Sequence, residues 1–124
     1  MGPAEIAKTT IKAAQERKAG DIRVLYVNAL TTLADYYIIC TANSGPQLRA
    51  VSDAVEERLS EAGVEPLHIE GQRSGSWRLI DYGSVVVHML RPEAREFYAL
   101  ERLWSDARSI DIDEFLTKGG DEEK

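Results

Sequence analysis

Cysteine occurs once in these 124 residues, as Cys40, and histidine twice, as His68 and His88. A single thiol forms no internal disulfide, so the sequence reads as a protein of a reducing, cytoplasmic compartment. Zinc needs several nitrogen or sulfur ligands. One thiol and two histidines, each in an apolar segment, fall short of that set, and no metal site is expected. No apolar run approaches the ~20 residues that span a bilayer. The opening Met1 to Glu5 lacks the basic start and apolar stretch of a signal peptide, and Ile6 breaks the myristoylation pattern. Basic excess is missing too: 15 Lys and Arg stand against 21 Asp and Glu, a net charge of −6. Binders of free nucleic acid usually carry a basic patch, so none is expected to bind here. Walker A and Gly-x-Gly-x-x-Gly runs are absent. Gly71-Gln-Arg-Ser-Gly75 misses the spacing of a nucleophile elbow.

What is there is the make-up of one soluble domain. Hydrophobic residues are 44% and charged residues 29%, and a chain of this length buries enough surface to need no staple. The charge is uneven. From residue 111 to 124 six acids face two bases, while residues 1–110 are nearly balanced. The expected organisation is a folded domain over 1–110 followed by an acidic, flexible tail over 111–124.

Ala7, Ile11 and Ala14 give a narrow apolar stripe at helical spacing over residues 4–19, with Gly20 as the stop. Ile22, Val24 and Tyr26 alternate in a strand over 21–27. Residues 36–41 are apolar on both faces, as in a central strand. Ser44 and Gln47 fit a capping box. Leu48, Val51, Val55, Leu59 and Ala62 then share one helical face up to Gly63. Strands are expected over 66–70, 77–82 and 84–90, with a tight turn at Gly83. Pro92 opens a last helix reaching about Trp104, with Phe97, Leu100 and Trp104 on one face. The order is helix, two strands, helix, three strands, helix: an α/β fold with a mixed sheet of about five strands and flanking helices.

Chemistry is sparse. Cys40 sits among Ile38, Ile39 and Thr41, where a buried thiol is inert. Thr41 to Gly45 form a small polar turn at a helix N-terminus, a natural anion site. Nucleotidyltransferases pair such a turn with two acids on the next strand to hold Mg²⁺. Here Asp53 is mid-helix, Asp81 stands alone on its strand, and Asp111 and Asp113 read as solvated charge in the tail. No catalytic residue and no cofactor are expected. Period-2 spacing instead puts Trp77, Leu79 and Asp81 on one sheet face, and Arg78, Ile80 and Tyr82 on the other. If the two long helices cover a single face, an indole, an aliphatic group and a carboxylate share the more open one, the composition of a binding hot spot. Packing of Trp77 in the core is the alternative.

Several blocks together resemble the ribosomal silencing factor family, also called Iojap-related: residues 34–40, Glu70-Gly71, 77–83, 85–88 and 95–104. The resemblance runs from about Ile6 to Asp106. It implies a fold similar to the nucleotidyltransferase superfamily without its catalytic acids. It implies binding to the large ribosomal subunit through ribosomal protein L-fourteen, which blocks joining of the small subunit and lowers translation when nutrients are scarce. It also implies a part in large-subunit biogenesis, and a homodimer off the ribosome in some members. Gly45-Pro46 stands where relatives often carry a polar-basic pair, and Ser84 where many carry Asp. On this reading Trp77, Leu79 and Asp81 are the centre of the partner surface, with Tyr82, Arg95 and Tyr98 beside it. The competing reading is a nucleotidyltransferase-like enzyme that uses the Ser44 turn to bind nucleotide.

Overall fold

The computed structural model describes residues 1–27, 34–94 and 108–117. At its centre β2 (Tyr36–Thr41) and β5 (Val85–Leu90) run parallel and in register, Tyr36 opposite Val85 and Thr41 opposite Leu90. Around them lie α1 (Pro3–Glu16), β1 (Gly20–Tyr26), α2 (Gly45–Glu61), β3 (His68–Glu70), β4 (Trp77–Asp81), β6 (Arg108–Ile110) and α3 (Ile112–Thr117). The sheet order is β3-β4-β5-β2-β1-β6, and every pairing except β2 with β5 is antiparallel.

One row of aligned residues crosses the sheet: Val24, Ile38, Val87, Ile80 and Ile69. The first four are fully buried. They carry the main core with Ala7, Ile11 and Ala14 of α1 and Leu48, Val51, Val55 and Leu59 of α2. Each fully buried aliphatic side chain contributes ~1.5–3 kcal/mol. Both long helices therefore cover the same face. The opposite face packs a second cluster of Leu25, Val27, Ala34, Ile39, Val86, Leu90 and Ala94. Cys40 is buried on the helix side.

The helix ends follow local chemistry. Ser44 Oγ accepts the Gln47 backbone N–H at 3.1 Å. The reciprocal half of the capping box is displaced by one residue, since Gln47 Oε1 accepts from Asn43 N at 2.7 Å. Gln47 Nε2 donates to the carbonyls of Arg17 and Lys18, at 3.1 and 3.0 Å. One side chain thus caps the start of α2 and satisfies orphan carbonyls at the end of α1. Gly63, at φ +84°, terminates α2 as expected, although Ala62 is exposed.

Three expectations are corrected. Gly20 does not stop α1. The left-handed residue is Lys18, φ +62°, and Ala19 N donates to Ala14 O at 3.0 Å, so the helix closes earlier and Gly20 opens β1. The sheet has six strands, because β6 pairs with β1, Ile110 opposite Val24. The acidic segment after Ile110 is not free tail through its first seven residues. Asp111 Oδ1 caps α3 by accepting from Glu114 N at 3.0 Å. Phe115 is 3% exposed in the main core. The reason is a stack that spans both ends of the chain. Arg108 lies over the Tyr26 ring at 5.4 Å, Tyr26 meets Tyr36 at 5.5 Å, Tyr36 meets Phe115 at 5.5 Å, and Lys8 Nζ sits 5.1 Å from the Phe115 centroid. The last helix expected from Pro92 is helical at residues 92–94; its remainder lies outside the described residues.

Phe115→Ala should therefore lower unfolding free energy by ~3–5 kcal/mol in urea titration, the cost of truncating a core phenylalanine. A dispensable tail residue would leave the midpoint unchanged.

Candidate functional site

Strand β4 has the expected alternation. Trp77, Leu79 and Asp81 are partly buried, while Arg78 and Ile80 are buried between them. Their faces differ as the spacing requires. Ile80 belongs to the helix-side core, whereas Trp77 and Leu79 pack against the second cluster. Trp77 is thus neither wholly core nor a free surface ring: one side has packing, and part of it meets solvent. Tyr82, expected beside the patch, is brought to the helix side instead, 7% exposed within the main core. Burial, with the Glu56 and Glu65 carboxylates beside it, holds its phenol above the usual range. Arg95 and Tyr98 lie outside the described residues.

The strand is held by its two turns. Gly71 lies at φ +80°, and a side-chain carbon there would meet Trp77 O at 2.6 Å and the indole at 3.1 Å. Only glycine lets that backbone pass under Trp77. At the other end Asp81 Oδ1 accepts from Gly83 N at 2.7 Å, inside the hairpin turn where Gly83 has φ +86°. Asp81 is thus a turn acceptor as well as a surface charge.

Register brings further residues onto this face. Asp81 stands opposite Val86 and His68, and Leu79 opposite His88 and Glu70. His88 stacks on Tyr37, centroids 5.5 Å apart with planes 25° apart. His68 Nε2 and Glu70 Oε2 lie 2.7 Å apart. Burial, then the Asp81 charge, raises the Tyr37 phenol. Leu67, 75% exposed, lies next to the Gly83 turn. The patch is therefore Trp77, Leu79 and Asp81 with Tyr37, His88, His68 and Glu70 across neighbouring strands. The signal for His88 was the Gly83 turn, which fixes the β4–β5 register once its position is known; Tyr37, His68 and Glu70 come from the pairings of β2 and β3, which that turn does not set.

The arrangement offers burial, stacking and charge more than chemistry. Ser44 is occupied as a helix cap. Among the described residues no three His, Cys, Asp or Glu side chains gather to hold a metal ion, and no helix is long and apolar enough to cross a membrane.

Burial lowers the His88 pKa from 6.5 to about 4. The unfolded chain then takes up a proton near pH 6.5, and the folded chain only near pH 4. Stability from the neutral ring is complete above pH 6.5 and is lost as pH falls toward 4, about 3 kcal/mol in all. In urea titrations between those pH values, His88→Gln should show that much less acid destabilisation than the parent. Equal slopes would mean that the ring protonates freely in the fold.

The comparisons agree along nearly the whole chain. A family model described as "Ribosomal silencing factor during starvation" matches residues 2–124. The ribosomal silencing factor of Bacillus subtilis is 34% identical over 91% of this chain and 96% of its own length. That of Chromobacterium violaceum is 41% identical over 81% of this chain and 82% of its own. A crystal structure of a Chromobacterium violaceum protein superposes with a TM-score of 0.82 at 40% identity, covering 85% of this chain and 88% of that one.

Proposed function

The chain belongs to the ribosomal silencing factor family, and we propose that it represses translation by occupying the large ribosomal subunit where the small one would join. The partner there is ribosomal protein L-fourteen, the trigger is nutrient limitation, and the same contact serves large-subunit biogenesis. What carries the reading is the family match over residues 2–124. Two physical features support the mechanism. Proteins on ribosomal surfaces are generally basic, and a chain of net charge −6 is steered toward them by its field. The β4 face then offers a partly exposed indole and aliphatic group beside a carboxylate, groups that anchor interfaces by burial. Blocking needs no bond to be made or broken, because two bodies cannot share one surface. The protein on this account is a binding protein without catalytic residues or cofactor, and works in the cytoplasm. Off the ribosome, pairing with a second copy is part of the same proposal.

The rival reading, a nucleotidyltransferase-like enzyme, requires paired acids beside the Ser44 turn. Asp81 is the acid of β4, and it is engaged at the opposite end of that strand from the turn.

In sedimentation with separated subunits, the protein should travel with the large subunit and reduce the yield of joined particles. Travel with the small subunit alone would overturn the proposal. Trp77→Ala should weaken large-subunit binding by about 30-fold or more, about 2 kcal/mol, with melting temperature followed on the same sample to separate a lost contact from a lost fold. Asp81→Asn keeps the acceptor for Gly83 and removes only the charge, so it should weaken binding at low salt and flatten its salt dependence. Unchanged affinity in both variants would place the contact on another surface.

A further inference from the structure

The sheet ends on β3, and that end is open. β3 is the first strand of the sheet order, and among the described residues its outer edge pairs with no strand. An unpaired edge presents a row of backbone N–H and C=O groups, a template for one more strand. His68 and Glu70 are exposed, while Ile69 between them packs against the main core and anchors the edge. Leu67, which leads into the strand, is the more exposed of the two large apolar side chains that stand out in solvent. Its backbone N–H donates to Asp81 O at 2.8 Å. The backbone is thus tied to β4 while the side chain stays outside.

The charge beside this edge is of one sign. Residues 53–70, running from α2 through the link into β3, hold six acids and one base, Arg58. Arg58 is engaged by Glu16 of α1. Asp53, Glu57, Glu61, Glu65 and Glu70 are exposed. The two that flank the edge are oriented by local bonds. Ser60 Oγ donates to Glu65 Oε2 at 2.7 Å, and His68 Nε2 lies 2.7 Å from Glu70 Oε2. Neither carboxylate forms an ion pair with a Lys or Arg among the described residues.

Short length and a neighbouring proline limit indiscriminate edge pairing, and β3 has both, in its three residues and Pro66. Acidic flanks add selectivity, since they repel another acidic strand and favour a basic one. A second copy supplies no basic strand at either end of the described sheet. Its β3 is acidic, and at the other end Arg108 of β6 is committed to the Tyr26 ring, with Asp111 and Asp113 close behind.

We propose that the outer edge of β3 receives an extended, basic segment of another protein as an added strand. Backbone bonds to so short a strand are few, so basic side chains on Glu65 and Glu70 and an apolar contact on Leu67 supply the rest of the hold. The edge adjoins the Trp77 patch through His68 and Glu70, yet the inference does not rest on the ribosomal reading, and its test contains no ribosome.

The test is an amide NMR titration of the full chain with a short capped peptide of alternating Lys and Val. Saturable shifts are expected from Leu67 to Glu70, with slower amide exchange in β3 and affinity that falls as salt rises. A peptide of the same charge, N-methylated at alternate residues, cannot complete the backbone ladder and should bind about tenfold more weakly or worse. A peptide of alternating Glu and Val should not bind. The double variant Glu65→Gln, Glu70→Gln keeps the backbone edge and should lose about tenfold in affinity for the basic peptide. Should that variant not fold, the N-methylated peptide decides with the parent chain alone. Equal affinity for the N-methylated peptide would mean charge attraction without strand pairing, and would overturn the proposal. So would shifts centred away from β3, unaltered affinity in the folded double variant, or β3 shifts that follow protein concentration with no peptide present, which would assign the edge to a second copy.

Discussion

A parallel strand pair that is apolar on both faces has to be covered on both, and the rest of this structure follows from meeting that demand. β2 and β5 are such a pair, with Ile38 and Val87 facing one way and Ile39 and Val86 the other. Parallel pairing cannot be made by a tight turn, so the chain between them has room for α2, β3 and β4. The two long helices seal one face. The second face is sealed at its middle by the smaller cluster, and at β4 that seal is partial. There Trp77 and Leu79 are packed on one side and wet on the other. The candidate contact surface is thus a by-product of how the central pair is covered, not an added module.

Electrostatics divides the same way. The acids are spread over the surface, and the Asp81 charge sits at a turn where it is already hydrogen-bonded. The inward guanidinium of Arg78 lies at the other end of the same five-residue strand. Successive residues of one strand therefore serve two environments: an outward row partly open to solvent, and an inward cation held by the Gln72 carbonyl. The alternation that separates them is the pleat itself, so a change of register by one residue would exchange the two.

Much of this was legible where local physics dominates. Ser44 with Gln47, the apolar face from Leu48 to Leu59 and the doubly apolar run 36–41 announce their elements because caps, helical period and strand burial are short-range signals. So is the alternation that puts Trp77, Leu79 and Asp81 together. What sequence did not disclose depends on distant partners. Gln47 reaches Arg17 and Lys18 across about thirty residues. Phe115 sits in a short acid-rich run beside Ile112 and Leu116, and nothing within ten residues shows that Tyr36 and Lys8 await it. Three-residue β6, with Arg108 and Ser109 exposed, has no alternation long enough to read. Period-2 spacing puts Tyr82 on the far face from Trp77, but its burial there, which removes it from the expected contact surface, depends on tertiary packing. The likeness to nucleotidyltransferases stays an expectation from family resemblance.

The stack from Arg108 through Tyr26, Tyr36 and Phe115 to Lys8 has a consequence for the protein's own birth. Synthesis releases the chain from its amino end, so α1 emerges well before Phe115. Until Phe115 arrives, Tyr36 lacks one of its two ring neighbours and Lys8 its aromatic cover. The native state closes only once Phe115 is present, and a nascent chain truncated before residue 115 carries an apolar gap in its main core. Quality control acting on such gaps would distinguish chains that reach Phe115 from those that stop short of it.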